Sequence, residues 1–132
     1  MDALRLRSSD SDASLEFSAV TADGFHVALV SHAYSARRPV YCPDGGSGIP
    51  LLFAAGAREW KGWIGDKAWN SVEGELELAM RVDRLGHVTL KVCLRSDGGA
   101  PDRWQLEAEL ALEAGQLDAT AAAMAELWRT TS

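Results

Sequence analysis

The feature that most constrains this chain is a strict two-residue alternation of apolar and polar side chains, folded back on itself around glycines. In Ser71–Asp83 the residues Val72, Leu76, Leu78, Met80 and Val82 share one face, with Glu73, Glu75 and Glu77 opposite. Successive side chains of a strand point to opposite faces, so this pattern predicts a half-buried strand. The next stretch, His87–Arg95, turns Val88, Leu90, Val92 and Leu94 inward. Inner residues must oppose inner residues, which sets Val82 against Val88. That leaves a three-residue loop, Arg84-Leu85-Gly86, with glycine where the commonest such hairpin needs a left-handed residue. A third stretch, Trp104–Glu113, places Trp104, Leu106, Ala108, Leu110 and Leu112 inward.

The first half has the same grammar. Leu4–Arg7 reads as a short strand and Ser8–Ala13 as a polar loop. Leu15, Phe17 and Ala19 then share a face, followed by Phe25, Val27 and Leu29. The same pairing argument sets Phe17 against Leu29 and Thr21 against Phe25, leaving Ala22-Asp23-Gly24 as the loop. Ser35–Pro39 breaks the alternation and reads as an edge, bulge or loop, because proline cannot donate to a ladder. Val40–Cys42 resumes an extended strand, and Pro43–Gly48 and Ser96–Asp102 are loops on composition.

Two helices close the halves. Pro50 suits a first helical turn, and the helix runs on toward Trp60. Gln116–Arg129 is amphipathic, with Leu117, Ala121, Met124 and Trp128 at helical spacing. The expected fold is α+β: an antiparallel sheet of about six strands in the order βββαβββα, with both helices packed on one face. The chain reads as a single domain over 1–132, built from two quasi-repeated βββα halves, about 1–62 and 70–132. Its 132 residues, 47% hydrophobic, suffice for one core without a metal or disulfide staple.

Between the halves lies Glu59–Gly74, which holds three of the five tryptophans: Trp60, Trp63 and Trp69. Either they plug the end of the sheet–helix layer, or they form a partly exposed aromatic patch. An acid near them, Asp66 or Glu59, would sit in an apolar setting. The outward faces of the last three strands form a charge ladder, with Glu75 opposite Arg95 and Lys91 diagonal to Glu77.

Several functions are disfavoured. A net charge of −6 argues against a nucleic-acid backbone partner. No apolar run approaches the length of a membrane helix, and the N-terminus has no apolar segment of a secretory signal. Cys42 and Cys93 make neither a disulfide framework nor a zinc spacing, which fits a reducing cytoplasm. His26 and His32 lie about 20 Å apart along one strand, too far to share a metal. No HExxH, P-loop, GxSxG or CxxC motif occurs. No cofactor is expected.

From Phe53 to Leu94 the pattern is specific: Gly62-Trp63, Gly65, Trp69, Ser71, Gly74, Gly86-His87-Val88, and later Gly115. With these residues the chain, from about Leu15 to its C-terminus, resembles a bacterial family of unknown function, domain of unknown function six-two-two-eight. Ser35–Gly46 is longer than the family's usual pattern. The resemblance implies no activity, cofactor or catalytic residue. It does mark Trp63, Trp69 and His87 as family features. The expected role is a non-enzymatic protein-interaction module, by analogy with small acidic immunity proteins, with a protein partner or a homodimer. The alternative is a small-molecule binder with a pocket between sheet and helices lined by Trp60, Trp63 and Trp69. A hydrolase built on His87 and a carboxylate ranks last. The candidate interaction residues are Trp60, Trp63, Asp66, Trp69 and His87.

Overall fold

The structure, a computed structural model, describes residues 2–99 and 101–129. Ala100, in the expected Ser96–Asp102 loop, lies outside the described residues. The chain is α+β, but its strands divide into two sheets rather than one sheet of about six. Strands β1 (Ala3–Arg7), β2 (Ser14–Thr21), β3 (Gly24–Ser31) and β4 (Tyr34–Tyr41) form an antiparallel sheet in chain order. Helix α1 (Gly48–Arg58) follows. Strands β5 (Lys67–Asn70), β6 (Leu76–Val82), β7 (His87–Arg95) and β8 (Gln105–Glu113) form the second sheet, again in chain order. A short 3-10 turn then leads into helix α2 (Leu117–Arg129).

Two strands account for the corrected count. β4 runs through the interrupted Ser35–Pro39 stretch and pairs along its whole length with β3. It is an edge strand with one bonded side, where proline is tolerated. β5 is drawn from the tryptophan connector and is only four residues long, too short for alternation to declare it. It pairs Trp69 with Leu78 and Asn70 with Glu77.

The β6–β7 hairpin keeps the expected register, Val82 opposite Val88. Gly86, at φ 84°, takes the left-handed position and donates its N–H to the Asp83 carbonyl at 3.1 Å. The β2–β3 hairpin solves the same problem differently. Its turn is two residues, Thr21 pairing with Gly24, and the extra residue moves into β2 as a bulge between Ser18 and Thr21. Ala19 sits there at φ 50° and is exposed, not inward. Phe17 therefore opposes Val27, and Leu15 opposes Leu29. Gly24 is required by packing, since a Cβ would fall 2.0 Å from the Val40 carbonyl oxygen of β4.

The inner faces and both helices share one apolar core, in which Leu15, Phe17, Leu29, Phe53, Leu78, Met80, Leu90 and Met124 are fully buried or nearly so. The helices pack on each other, α1 also on β5 and α2 on β1. Trp128 of α2 meets Phe17 and Phe25 with ring centroids 5.7 and 5.6 Å away, and donates its indole N–H to the Gly45 carbonyl at 2.9 Å.

The two sheets meet along two seams. At one, the N–H of Ser9 donates to the Ala111 carbonyl at 2.9 Å, and the N–H of Ala111 donates to Ser8 Oγ at 3.0 Å. At the other, Arg38 Nη1 donates to the Arg95 carbonyl at 2.9 Å. The N–H of Tyr41 there donates to Glu75 Oε2 at 3.2 Å.

Candidate functional site

The connector Glu59–Gly74 and the β6–β7 hairpin come together at one end of the second sheet. Helix α1 stops at Arg58, and a tight turn follows in which the Gly62 N–H donates to the Glu59 carbonyl at 2.8 Å. Trp60 lies within that turn and is 63% exposed. A Cβ on Gly62 would touch Val82 Cγ1 at 3.9 Å, so the turn rests on the end of β6. β5 pairs Lys67 with Met80, so the residues just before it run beside Arg81–Asp83. The Arg81–Asp66 ion pair at 2.9 Å fixes that alignment. Ile64 stands in the bend that precedes β5, and Leu85 at the tip of the β6–β7 hairpin. Ile64 is fully exposed, and Leu85 is 81% exposed.

The three connector tryptophans therefore part company. Trp60 is outside, with Lys61 Nζ 5.4 Å from its ring centroid. Trp63 is part-buried. Its indole N–H donates to the Met80 carbonyl at 3.3 Å, and Lys67 Nζ lies 5.2 Å above its ring. Lys67 is itself paired with Glu59. Trp69 is part-buried between β5 and the start of α1, 6.2 Å from Phe25 by ring centroid. A Cβ at Gly48 would come 2.7 Å from the Trp69 ring, and one at Gly56 would come 2.9 Å from Met80 Sδ. The layer beside Trp63 and Trp69 is filled at both points.

His87 is exposed beside the same tip, with its Nδ1 3.1 Å from Asp83 Oδ2. Asp83 also accepts the backbone N–H groups of His87 and Leu85. The His87 N–H foremost holds the Asp83 carboxyl below its ordinary range; burial opposes it, and the Leu85 N–H and the His87 ring add to the lowering. This carboxylate–imidazole pair locks the hairpin turn. Of the five candidate residues, Trp60, Asp66 and His87 are exposed, while Trp63 and Trp69 are part-buried, Trp69 against the start of α1.

On the outer face of the second sheet, Asp66, Trp69, Glu77, Ala79, Lys91 and Cys93 border a hollow of about 290 Å³. The charge ladder crosses it, with Lys91 3.1 Å from Glu107 and Arg95 paired with Glu77. Arg95 does not pair with the Glu75 side chain as the alternation predicts. The backbone register does hold, with the Arg95 N–H on the Glu75 carbonyl at 2.8 Å. The reason lies one residue earlier. Gly74, at φ 76°, closes a turn on the Ser71 carbonyl and resets the alternation. Val72 is consequently 70% exposed rather than inward, and Glu75 is 5% exposed rather than outward. The Glu75 carboxylate accepts Ser71 Oγ at 2.6 Å and the Tyr41 N–H at 3.2 Å. Burial pushes this carboxyl up. Hydrogen bonds from Ser71, its own backbone N–H and Tyr41, with the Arg38 charge, outweigh that and hold it below the usual range.

Sequence reasoning missed three residues here: Ile64, Leu85 and Glu75. Ile64 stands between Trp63 and Gly65, and Glu75 directly follows Gly74. Those flanking glycines, both at positive φ, were the available signals. Among the described residues, no group of three or more His, Cys, Asp and Glu is placed to hold a metal ion. No described helix is long and apolar enough to cross a membrane.

The class of protein is thus an α+β fold of two four-stranded antiparallel sheets with two helices. Residues 6–131 match the family of unknown function DUF6228, and the chain belongs to that family. No curated protein matches it.

Proposed function

We propose that this protein is a non-enzymatic, cytoplasmic protein-interaction module that docks its partner on the connector–hairpin corner. The observation that carries this reading is the exposure of three large apolar side chains, Trp60 and Ile64 on the connector and Leu85 on the β6–β7 hairpin, on segments that adjoin where Gly62 rests on Val82 at the end of β6. Single exposed hydrophobics are ordinary, whereas several on adjoining segments favour an interaction site. Covering each completely is worth roughly 1.5–3 kcal/mol, and tryptophan is a frequent anchor of protein interfaces. The unpaired thiols of Cys42 and Cys93 are in keeping with a reducing compartment. The likeness in size and charge to immunity proteins suggests a toxin among the partner classes, by analogy only.

The test is capture from native lysate followed by hydrogen–deuterium exchange on the captured complex. Protection confined to residues 58–64 and 84–87, with capture lost in an Ile64→Ser/Leu85→Ser variant, is the expected result. Protection elsewhere, or capture unaffected by the variant, overturns it. A homodimer through the same corner would show as self-association in sedimentation, abolished by the same variant. The small-molecule reading draws its support from the outer hollow bordered by Trp69 and Asp66 rather than from the filled layer beside α1.

A further inference from the structure

Each sheet has one edge strand packed by a helix, β1 by α2 and β5 by α1; the opposite edges are β4 and β8. On β4 the outward backbone groups are few. The Tyr41 N–H is taken by Glu75, and Pro39 has no N–H and turns its carbonyl to Arg38 Nε at 2.7 Å. β8 offers more. Successive residues of an antiparallel strand direct both backbone groups alternately to one side and the other. Ala111 directs its pair away from β7, since its carbonyl accepts the Ser9 N–H and its own N–H donates to Ser8 Oγ. Gln105, Glu107 and Glu109 are in the same phase, and among the described residues no group bonds their outward N–H and C=O. The apolar layer has the same gap. Leu76, Leu94, Leu78 and Val92 are fully buried or nearly so, whereas Leu106 and Ala108, which continue their rows on β8, are only part-buried. In the next row, beside the point where Ser8 and Ser9 cross the edge, Leu110 is fully buried. Backbone laid along the edge thus closes the layer, and from Gln105 to Glu109 it is missing.

The side chains of Glu107 and Glu109 are exposed on the outer face. The cations of that face have carboxylates already: Arg81 pairs with Asp66, Arg95 with Glu77 and Lys91 with Glu107. Glu109 lies opposite Lys91 and acts on Arg81, but among the described residues it has no ion pair of its own. Asp102 and Arg103, exposed just before β8, offset each other. Farther along, Glu113 lies opposite His87 and shares a hollow with Arg5 and Arg7, outside this stretch. We infer that the edge from Gln105 to Glu109 takes up an extended segment of another protein as an added antiparallel strand. That segment carries Lys or Arg where its backbone faces the edge, and apolar residues between them. Its cations then lie on the outer face beside Glu109, and its apolar side chains continue the rows of Leu106 and Ala108. Main-chain bonds supply the affinity of such an addition, and alternate side chains its selectivity. A second copy of β8 does not fit, because Glu107 and Glu109 would face like charges. The site lies on the edge of the second sheet opposite β5 and does not depend on the docking reading above.

The probe is a synthetic peptide alternating Lys with Val. It is compared with a Glu-for-Lys counterpart and with two backbone-methylated forms, one N-methylated at every Lys and one at every Val. Binding to the full chain is read by residue-resolved amide hydrogen exchange. The Lys peptide should slow exchange of the Glu107 and Glu109 amides at least tenfold. Methylation at Val should be tolerated, and methylation at Lys should abolish binding, because it removes the donors that face β8. The Glu peptide should bind at least tenfold more weakly, and Glu109→Lys should narrow that gap. Glu109 is exposed, and an unchanged melting curve verifies that the variant folds. Equal binding of the Lys-methylated peptide overturns strand addition, and equal binding of the Glu peptide overturns the requirement for cations. No binding, or protection confined to other segments, overturns both. Protection of these amides in the chain alone that rises with its concentration overturns the assignment to another protein, since a second copy then covers the edge. The Ile64→Ser/Leu85→Ser variant should bind the Lys peptide as wild type does; a loss there would assign the peptide to the connector and hairpin instead.

Discussion

Glu75→Gln tests how the two sheets are joined. The wild-type carboxylate accepts hydrogen bonds from two donors in different parts of the fold, Ser71 Oγ and the Tyr41 N–H. Ser71 is fully buried, and its oxygen already accepts the Leu76 N–H at 3.1 Å. A glutamine keeps the shape but has one oxygen and one NH2 group. With its oxygen on Ser71, the amide turns its NH2 against the Tyr41 N–H; with its oxygen on Tyr41, the NH2 donates to Ser71 Oγ and the Ser71 O–H loses its acceptor, so in either setting one donor is left without its acceptor and the charge-assisted pair is lost. Such bonds contribute roughly 1.5–3 kcal/mol, and the retained neutral bond offsets part of that, so the expected loss is about 1–3 kcal/mol at pH 7. For a domain of this size each kcal/mol moves the midpoint by about 4 °C, which gives about 4–12 °C. The pH dependence supplies a second signature. The Glu75 carboxyl is held below its usual range in the folded state. Its contribution is therefore complete above the ordinary glutamate pKa and lost as pH falls through the lower folded value. Calorimetric melts of both proteins should show the full gap above about pH 5 and a closing gap toward acid. A variant as stable as wild type at pH 7, or a gap that widens as pH falls, would refute the assignment of Glu75 as the carboxylate that ties β4 to the second sheet.

Other consequences are simpler to check. Gly24→Ala should lower stability by at least about 2 kcal/mol in urea titrations, because the methyl meets backbone of β4; Gly86→Ala, left-handed but facing open space, should cost only about 1 kcal/mol. Among single-tryptophan variants, the one retaining Trp60 should be quenched by acrylamide far more efficiently than those retaining Trp63 or Trp69. Cys42 and Cys93 should stay unreactive to a disulfide reagent at pH 8 until denaturant is added, since burial covers both thiols and pushes their pKa values up. Asp12 accepts hydrogen bonds from Ser31 Oγ and from the backbone and ring of His32, which lower its pKa to about 2. A carbon-detected NMR titration should find it ionising well below the ordinary aspartate range, and Asp12→Asn should abolish the stability lost on acidification through that pKa.

What the sequence determined by itself was local and periodic. The alternation in β6 and β7 contains enough residues that only one register puts Leu76, Leu78 and Met80 opposite Leu94, Val92 and Leu90. The glycine after Leu85 then fixed the turn. Helical spacing likewise placed Leu117 and Met124 in the core, and the glycine and tryptophan pattern around Trp63 carried the family resemblance.

The tertiary structure decided what depends on a partner distant in sequence. A four-residue strand such as β5 has too little alternation to announce itself and exists because β6 offers it an edge. β2 takes its extra residue as a bulge at Ala19, where the sequence reads equally well as a longer turn. Glu75 reads as one more outward glutamate, because alternation cannot register the reset imposed by Gly74. Only the arrival of Ser71 and the Tyr41 backbone makes an inward carboxylate affordable. The same holds for the corner. Trp60, Ile64 and Leu85 are ordinary apolar residues in the chain, and their exposure is a property of the folded connector and hairpin. Periodicity is written in neighbours along the chain, whereas edges, seams and exposed corners are set by contacts between elements that the chain joins only through the folded core.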